Sequence, residues 1–135
     1  MKNVISLFFL IIVIRCQAQD SKNKYLQNES VTYKECISFY KVLETKYPNC
    51  KLFEFGKTDV GLPLHLFMIT NDKDFDIESI KKKNKAILFI NNGIHAGEPC
   101  GVDACLGLSE DLLNKKELNA MLSNVVVCIV PFYNI

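Results

Sequence analysis

Arginine is almost missing from this 135-residue chain: of 16 basic residues only Arg15 is an arginine. A planar, bidentate grip on a carboxylate or phosphate needs a guanidinium, so nothing after residue 15 can supply one. Charge of one sign is lacking too. Sixteen basic residues against 15 acidic leave a formal net charge of +1, which removes the nucleic-acid reading, because no excess of cations exists to neutralise phosphates. Tryptophan is absent, and only two histidines are present. There is no Cys-x-x-Cys among the six cysteines, and so no thioredoxin-like or paired zinc-ribbon pattern. No apolar run approaches the roughly 20 residues of a helical membrane span, so no stable membrane span is expected. Hydrophobic residues make up 49% of the chain, enough for one packed core and too many for a disordered segment.

The first residues read as an address. Lys2 gives a positive start, Val4 to Ile14 is apolar except for Ser6, and Ala18 is a small residue before Gln19. That anatomy predicts a signal peptide over residues 1–18, with cleavage near Ala18 and a secreted or periplasmic location. A lipoprotein signal would place its lipid on Cys16; Ile14 and Arg15 before it argue against that. Residues 19–135 would then hold Cys36, Cys50, Cys100, Cys105 and Cys128. An odd number leaves at least one thiol without an internal partner. Cys100 and Cys105 fall on one expected helix, where a bridge is sterically poor, and Cys128 lies in an apolar run that treats it as a small hydrophobe. No disulfide framework is expected.

Along the rest of the chain, Ser21 to Ser30 is polar and reads as a loose leader. Thr32 and Glu35 make a Thr-x-x-Glu capping box. Cys36, Phe39, Tyr40, Leu43 and Tyr47 then follow one helical face up to Pro48. KLFEF (51–55) and PLHLFMIT (63–70) flank the turn-rich GKTDVG (56–61), which predicts a hairpin. Residues 71–85 are charged, with a short helical turn around Ile77 and Ile80, and the run Lys81 to Lys83 reads as a solvated surface. AILFI (86–90) and VVVCIV (125–130) read as strands buried on both faces. The helix between them, expected from Pro99 to about Lys116, makes a βαβ crossover with parallel neighbours. The predicted fold is α/β: a mixed, mainly parallel sheet with helices on both faces. Because the sequence stops just after a central strand, with no closing helix, truncation is expected.

One constellation carries chemistry. His95-Ala96-Gly97-Glu98 falls between a strand end and a helix start, where open α/β sheets bind ligands. Gly93 and Gly97 let the backbone turn tightly there. An imidazole nitrogen and a carboxylate oxygen are both zinc donors, and a His and a Glu three residues apart on one turn can reach the same ion. By spacing alone the pair reads more readily as a helix-capping Glu98 beside a His95 bonded to a nearby carbonyl; its setting on a strand-to-helix turn at the sheet edge brings the metal reading level with that one. Pro99 follows Glu98, so neither His-Glu-x-x-His nor His-x-x-Glu-His is present. His65, flanked by Leu64 and Leu66, reads as a packed or edge histidine.

The longer string NNGIHAGEP (91–99), with Gly101-Val102-Asp103-Ala104 after it, resembles the zinc-binding segment of the zinc carboxypeptidase family, the carboxypeptidase A type. Phe55 to Leu64 resembles that family's early hairpin, with Leu62 in place of a common basic residue. Val130 to Asn134 resembles the strand end leading to its Asn-x-Asp-Gly turn. The resemblance implies a zinc carboxypeptidase-like fold, with residues 19–135 as the N-terminal portion of the catalytic domain. It implies Zn2+ as cofactor, His95 and Glu98 as the first two ligands, and a peptide substrate cut at its C-terminal bond by metal-activated water. The family's third ligand (a His), its carboxylate-binding Arg and its general-base Glu have no counterpart here; the catalytic residues are expected beyond Ile135, and the chain alone is expected to be inactive. Two alternatives are a zinc amidohydrolase of N-acyl amino acids, disfavoured by Gly97 where that branch has Asn, and a non-catalytic remnant of the same fold. Substrate side-chain preference and oligomeric state are not written in these residues.

Overall fold

The computed structural model describes residues 24–135; the expected signal peptide at 1–18 lies outside them. The expected loose leader is tied down over part of its length. Lys24–Gln27 forms one 3-10 turn, and Lys24 pairs with Glu35 at 2.8 Å. The capping box forms as predicted: Thr32 accepts from the Glu35 amide while Glu35 accepts from the Thr32 amide at 2.8 Å, satisfying two donors that a helix end leaves free. It opens helix α1 (Tyr33–Lys46), which ends before Pro48 and buries Cys36, Phe39, Tyr40 and Leu43.

Strands β1 (Cys50–Lys57) and β2 (Pro63–Ile69) pair antiparallel as a hairpin, with a register irregularity between Glu54 and Gly56. Helix α2 (Ile77–Lys82) is capped by Asp76, whose side chain accepts from the Ser79 amide at 2.8 Å. Strand β3 (Ala86–Asn91) is followed by α3 (Cys100–Asn114), α4 (Lys116–Met121) and β4 (Val125–Val130). The sheet order is β1-β2-β4-β3. As predicted, β3 and β4 are parallel, Ala86 opposite Val125 and Asn91 opposite Val130.

Two expectations are corrected. The sheet is mixed but not mainly parallel among the described residues: β4 also pairs antiparallel with β2, Phe67 opposite Ile129, so one pairing of three is parallel. A crossover fixes the direction of β4 relative to β3 and says nothing of the neighbour on its other side. Second, β3 is not buried. It is an edge strand with Ile87, Leu88 and Phe89 exposed, Phe89 at 59%, because β4 covers one of its edges and no described element packs over both of its faces. Lys81 to Lys83 are exposed, as expected of a solvated surface, and Lys83 bridges Asp72 and Asp74 there at 3.0 and 2.6 Å.

The strand period divides the core in two. On one face Leu52, Phe67, Ile69, Val127 and Ile129 pack against α1 and α3; Tyr40 lies on Phe67 with ring centroids 4.5 Å apart. On the other face Met68, Val126 and Cys128 pack with Ile80 of α2 and with Phe53, Leu66 and Phe75. Helices thus lie on both faces, the long ones together on one. The five cysteines of the described residues are free, and burial raises the pKa of Cys36, Cys50, Cys105 and Cys128, as expected of thiols that serve as small hydrophobes. No helix among the described residues is long and apolar enough to cross a membrane.

Candidate metal centre

Parallel β3 and β4 bring their C-terminal ends to one edge of the sheet, and the start of antiparallel β2 lies at the same edge. Past the end of β3 the chain remains tied to the end of β4 and to the segment beyond it. The Asn92 amide donates to the Val130 carbonyl at 3.1 Å, the Tyr133 amide to the Asn92 carbonyl at 2.9 Å, and the Asn134 amide to the Gly93 carbonyl at 2.8 Å. Gly93 then turns the chain out of the sheet with φ +61°, a left-handed conformation that glycine adopts without a Cβ clash. Its empty side is filled by Phe132: a Cβ on Gly93 would stand 3.2 Å from the ring. Gly97 has no such need, since its φ is not positive and nothing lies within 4 Å of a Cβ built there.

On this turn the structure brings His95 and Glu98 together. His95 Nδ1 and Glu98 Oε2 are 3.0 Å apart, and the side chains are 72% and 69% exposed. The Glu98 amide donates to the His95 carbonyl at 3.1 Å, which closes the turn. Glu98 does not cap α3; that helix begins at Cys100 with Pro99 as its N-cap residue and no side-chain cap. The carboxylate is therefore free for the imidazole. Two donors of one tetrahedral zinc, each about 2.1 Å from the ion, stand roughly 3.4 Å apart. An imidazole nitrogen and a carboxylate oxygen facing each other across 3.0 Å fit that donor pair after a small rotation of exposed side chains. The set is short, however. Among the described residues no group of three His, Cys, Asp or Glu converges.

His65, the other histidine, lies at the same edge but belongs to a different environment. It is buried against α1, with Nδ1 3.3 Å from the Tyr33 hydroxyl, and burial lowers its pKa. Tyr33 donates to the Pro63 carbonyl at 2.6 Å and packs on Phe132. This is the packed histidine the sequence pointed to. Two features of the site were missed in the sequence: the ring of Phe132 beneath Gly93, and the buried carboxamide of Asn92. A phenylalanine just past a strand and an Asn-Asn-Gly turn carry no signal of who will meet across a parallel crossover.

The sequence model of the family described as zinc carboxypeptidase matches residues 36–135. Among solved structures, carboxypeptidase A from Helicoverpa armigera superposes with a TM-score of 0.64 at 19% identity, over 76% of this chain and 24% of that one. Bovine thrombin-activatable fibrinolysis inhibitor, solved with tick carboxypeptidase inhibitor, gives 0.61 at 20% identity over 77% and 31%. A metallo-carboxypeptidase from Burkholderia cenocepacia gives 0.58 at 18% identity over 75% and 26%. No curated protein matches the chain. The fold is theirs, and the chain spans about a quarter to a third of their length.

Proposed function

The chain belongs to the zinc carboxypeptidase family, and from that premise we propose that His95 and Glu98 are two of the three protein ligands of a catalytic zinc in an exported metallocarboxypeptidase. The observation that carries this is the 3.0 Å approach of His95 Nδ1 to Glu98 Oε2 on an exposed turn at the sheet edge. Zinc held there would polarise a scissile carbonyl and lower the pKa of its bound water toward neutrality.

The chain's own residues do the holding and orienting. The closed turn from His95 to Glu98 presents both donors to one side. Glu98 offers a carboxylate oxygen and His95 a ring-nitrogen lone pair, the two donor types that zinc accepts. Exposure leaves room for substrate and for a third ligand. A catalytic zinc needs three protein ligands and an open position, so His95 and Glu98 alone would hold the ion only weakly. No arginine occurs after residue 15, so recognition of a substrate's free carboxylate is not built from these residues. Hydrolysis of a C-terminal peptide bond is therefore assigned to the complete catalytic domain, and this chain's part in it is the ligand pair and its scaffold. Residues 1–18 act as a signal for export in the same proposal.

The test is genetic and enzymatic together. The coding frame is read past Ile135, and the polypeptide it encodes is assayed with zinc for release of C-terminal residues from blocked dipeptides. Release that disappears in His95→Ala and in Glu98→Ala supports the proposal. A continuing frame whose product hydrolyses such substrates equally well without either side chain refutes it.

A further inference from the structure

The turn that carries His95 and Glu98 has little of its own to hold it in place. Its two donor side chains are exposed, and a single backbone bond closes it. Its two feet, in contrast, meet each other. Asn92, just past β3, is 6% exposed, its amide bonded to Val130 at the end of β4 and its carbonyl to Tyr133 beyond it. Its side chain lies against the first turn of α3: a Cβ on Gly101 would stand only 2.7 Å from Asn92 Oδ1, closer than non-bonded atoms tolerate. The missing side chain of Gly101 is what admits the carboxamide. Asn92 Nδ2 makes no hydrogen bond, and a buried carboxamide with an unsatisfied donor is unfavourable for stability.

We propose that Asn92 is the positioning residue of the His95–Glu98 turn: seated on Gly101, its carboxamide fixes the span from the end of β3 to the start of α3 and thereby the approach of the two donors. A buried side chain wedged between the two ends of the eight-residue excursion 93–100 limits how far its middle can splay. This inference rests on the zinc reading only for the metal arm of its test.

The chain is compared with Asn92→Ala, Gly101→Ala and the double variant. Two quantities are read beside global stability: zinc affinity, by competition with a chromogenic chelator, and amide hydrogen exchange at 93–98. In Gly101→Ala the new methyl group displaces the carboxamide, so zinc should bind about tenfold more weakly and exchange at 93–98 should rise. Asn92→Ala should do the same by removing the tether. In the double variant the methyl group occupies the space the carboxamide vacates, and both quantities should return to within about threefold of the parent. Additive loss in the double variant would overturn the proposal, since it would make the two positions independent. Should Gly101→Ala not fold, Asn92→Ala decides: unchanged affinity and unchanged exchange would overturn it equally. If zinc binding by the parent is insensitive to His95→Ala, the metal reading fails, and the exchange arm still judges the tether.

Discussion

Gly93→Ala isolates the conformational demand that aims the candidate site. Two penalties add. An L-residue at φ +61° loses about 1–2 kcal/mol to the clash between Cβ and the carbonyl. The new methyl group would also stand 3.2 Å from Phe132 Cδ1, so the ring must yield by a few tenths of an ångström. That ring is not free to do so at no cost, because it packs on Tyr33 with centroids 5.9 Å apart, and forced repacking of this kind costs about 1 kcal/mol at its mild end. The sum is a loss of about 2–3 kcal/mol, a large share of the 5–15 kcal/mol typical of a folded domain. Urea unfolding followed by far-UV circular dichroism measures it, since the chain has no tryptophan to report by fluorescence. Gly97→Ala is the internal control. With no positive φ and nothing within 4 Å, it should stay neutral or gain about 0.5–1 kcal/mol by restricting the unfolded chain. A Gly93→Ala variant within about 0.5 kcal/mol of the parent would refute the reasoning.

Three more outcomes follow from the same structure. Glu35 is held at a pKa of about 2, below its ordinary 4.5, chiefly by the Lys24 ammonium and then by the Thr32 amide; its contribution is complete above pH 4.5 and is lost as pH falls to about 2. Glu35→Gln keeps the capping-box acceptor and removes only the charge, so it should cost about 1 kcal/mol at pH 7, after allowance for solvent screening, and almost nothing near pH 2; a gap that does not change with pH counts against the Lys24–Glu35 pair. Phe67→Ala, at a fully buried position under Tyr40, should cost about 3–5 kcal/mol in urea unfolding, and a loss below 1 kcal/mol would mean the core is misassigned. On the β3 edge, Phe89→Lys should reduce self-association in sedimentation velocity while leaving stability within about 0.5 kcal/mol; unchanged association would show that the exposed strand is not the contact.

Local chemistry was the most legible part of the sequence. The Thr32–Glu35 box, the α1 face ending at Pro48, the hairpin around residues 56–61 and the parallel β3–β4 crossover could all be read because each is decided by neighbours in the chain. The exposure of Ile87 to Phe89 could not. An apolar run reports which residues prefer burial, and what covers them is settled by other parts of a fold. The antiparallel β2–β4 pairing was hidden for a similar reason, since no residue in either strand names its partner. Of the candidate site, the His95–Glu98 pair was visible as His-x-x-Glu on a strand-to-helix turn. Its support was not: Asn92 and Gly101 are nine positions apart, and only the folded crossover brings a carboxamide onto a residue without a side chain.

Direct titration of zinc into the purified chain, parent against His95→Ala and Glu98→Ala, tests the central claim most closely. The parent should take up one equivalent of zinc weakly, as two donors on one turn allow, and each substitution should abolish that uptake. Zinc uptake of equal strength in all three proteins would contradict the account.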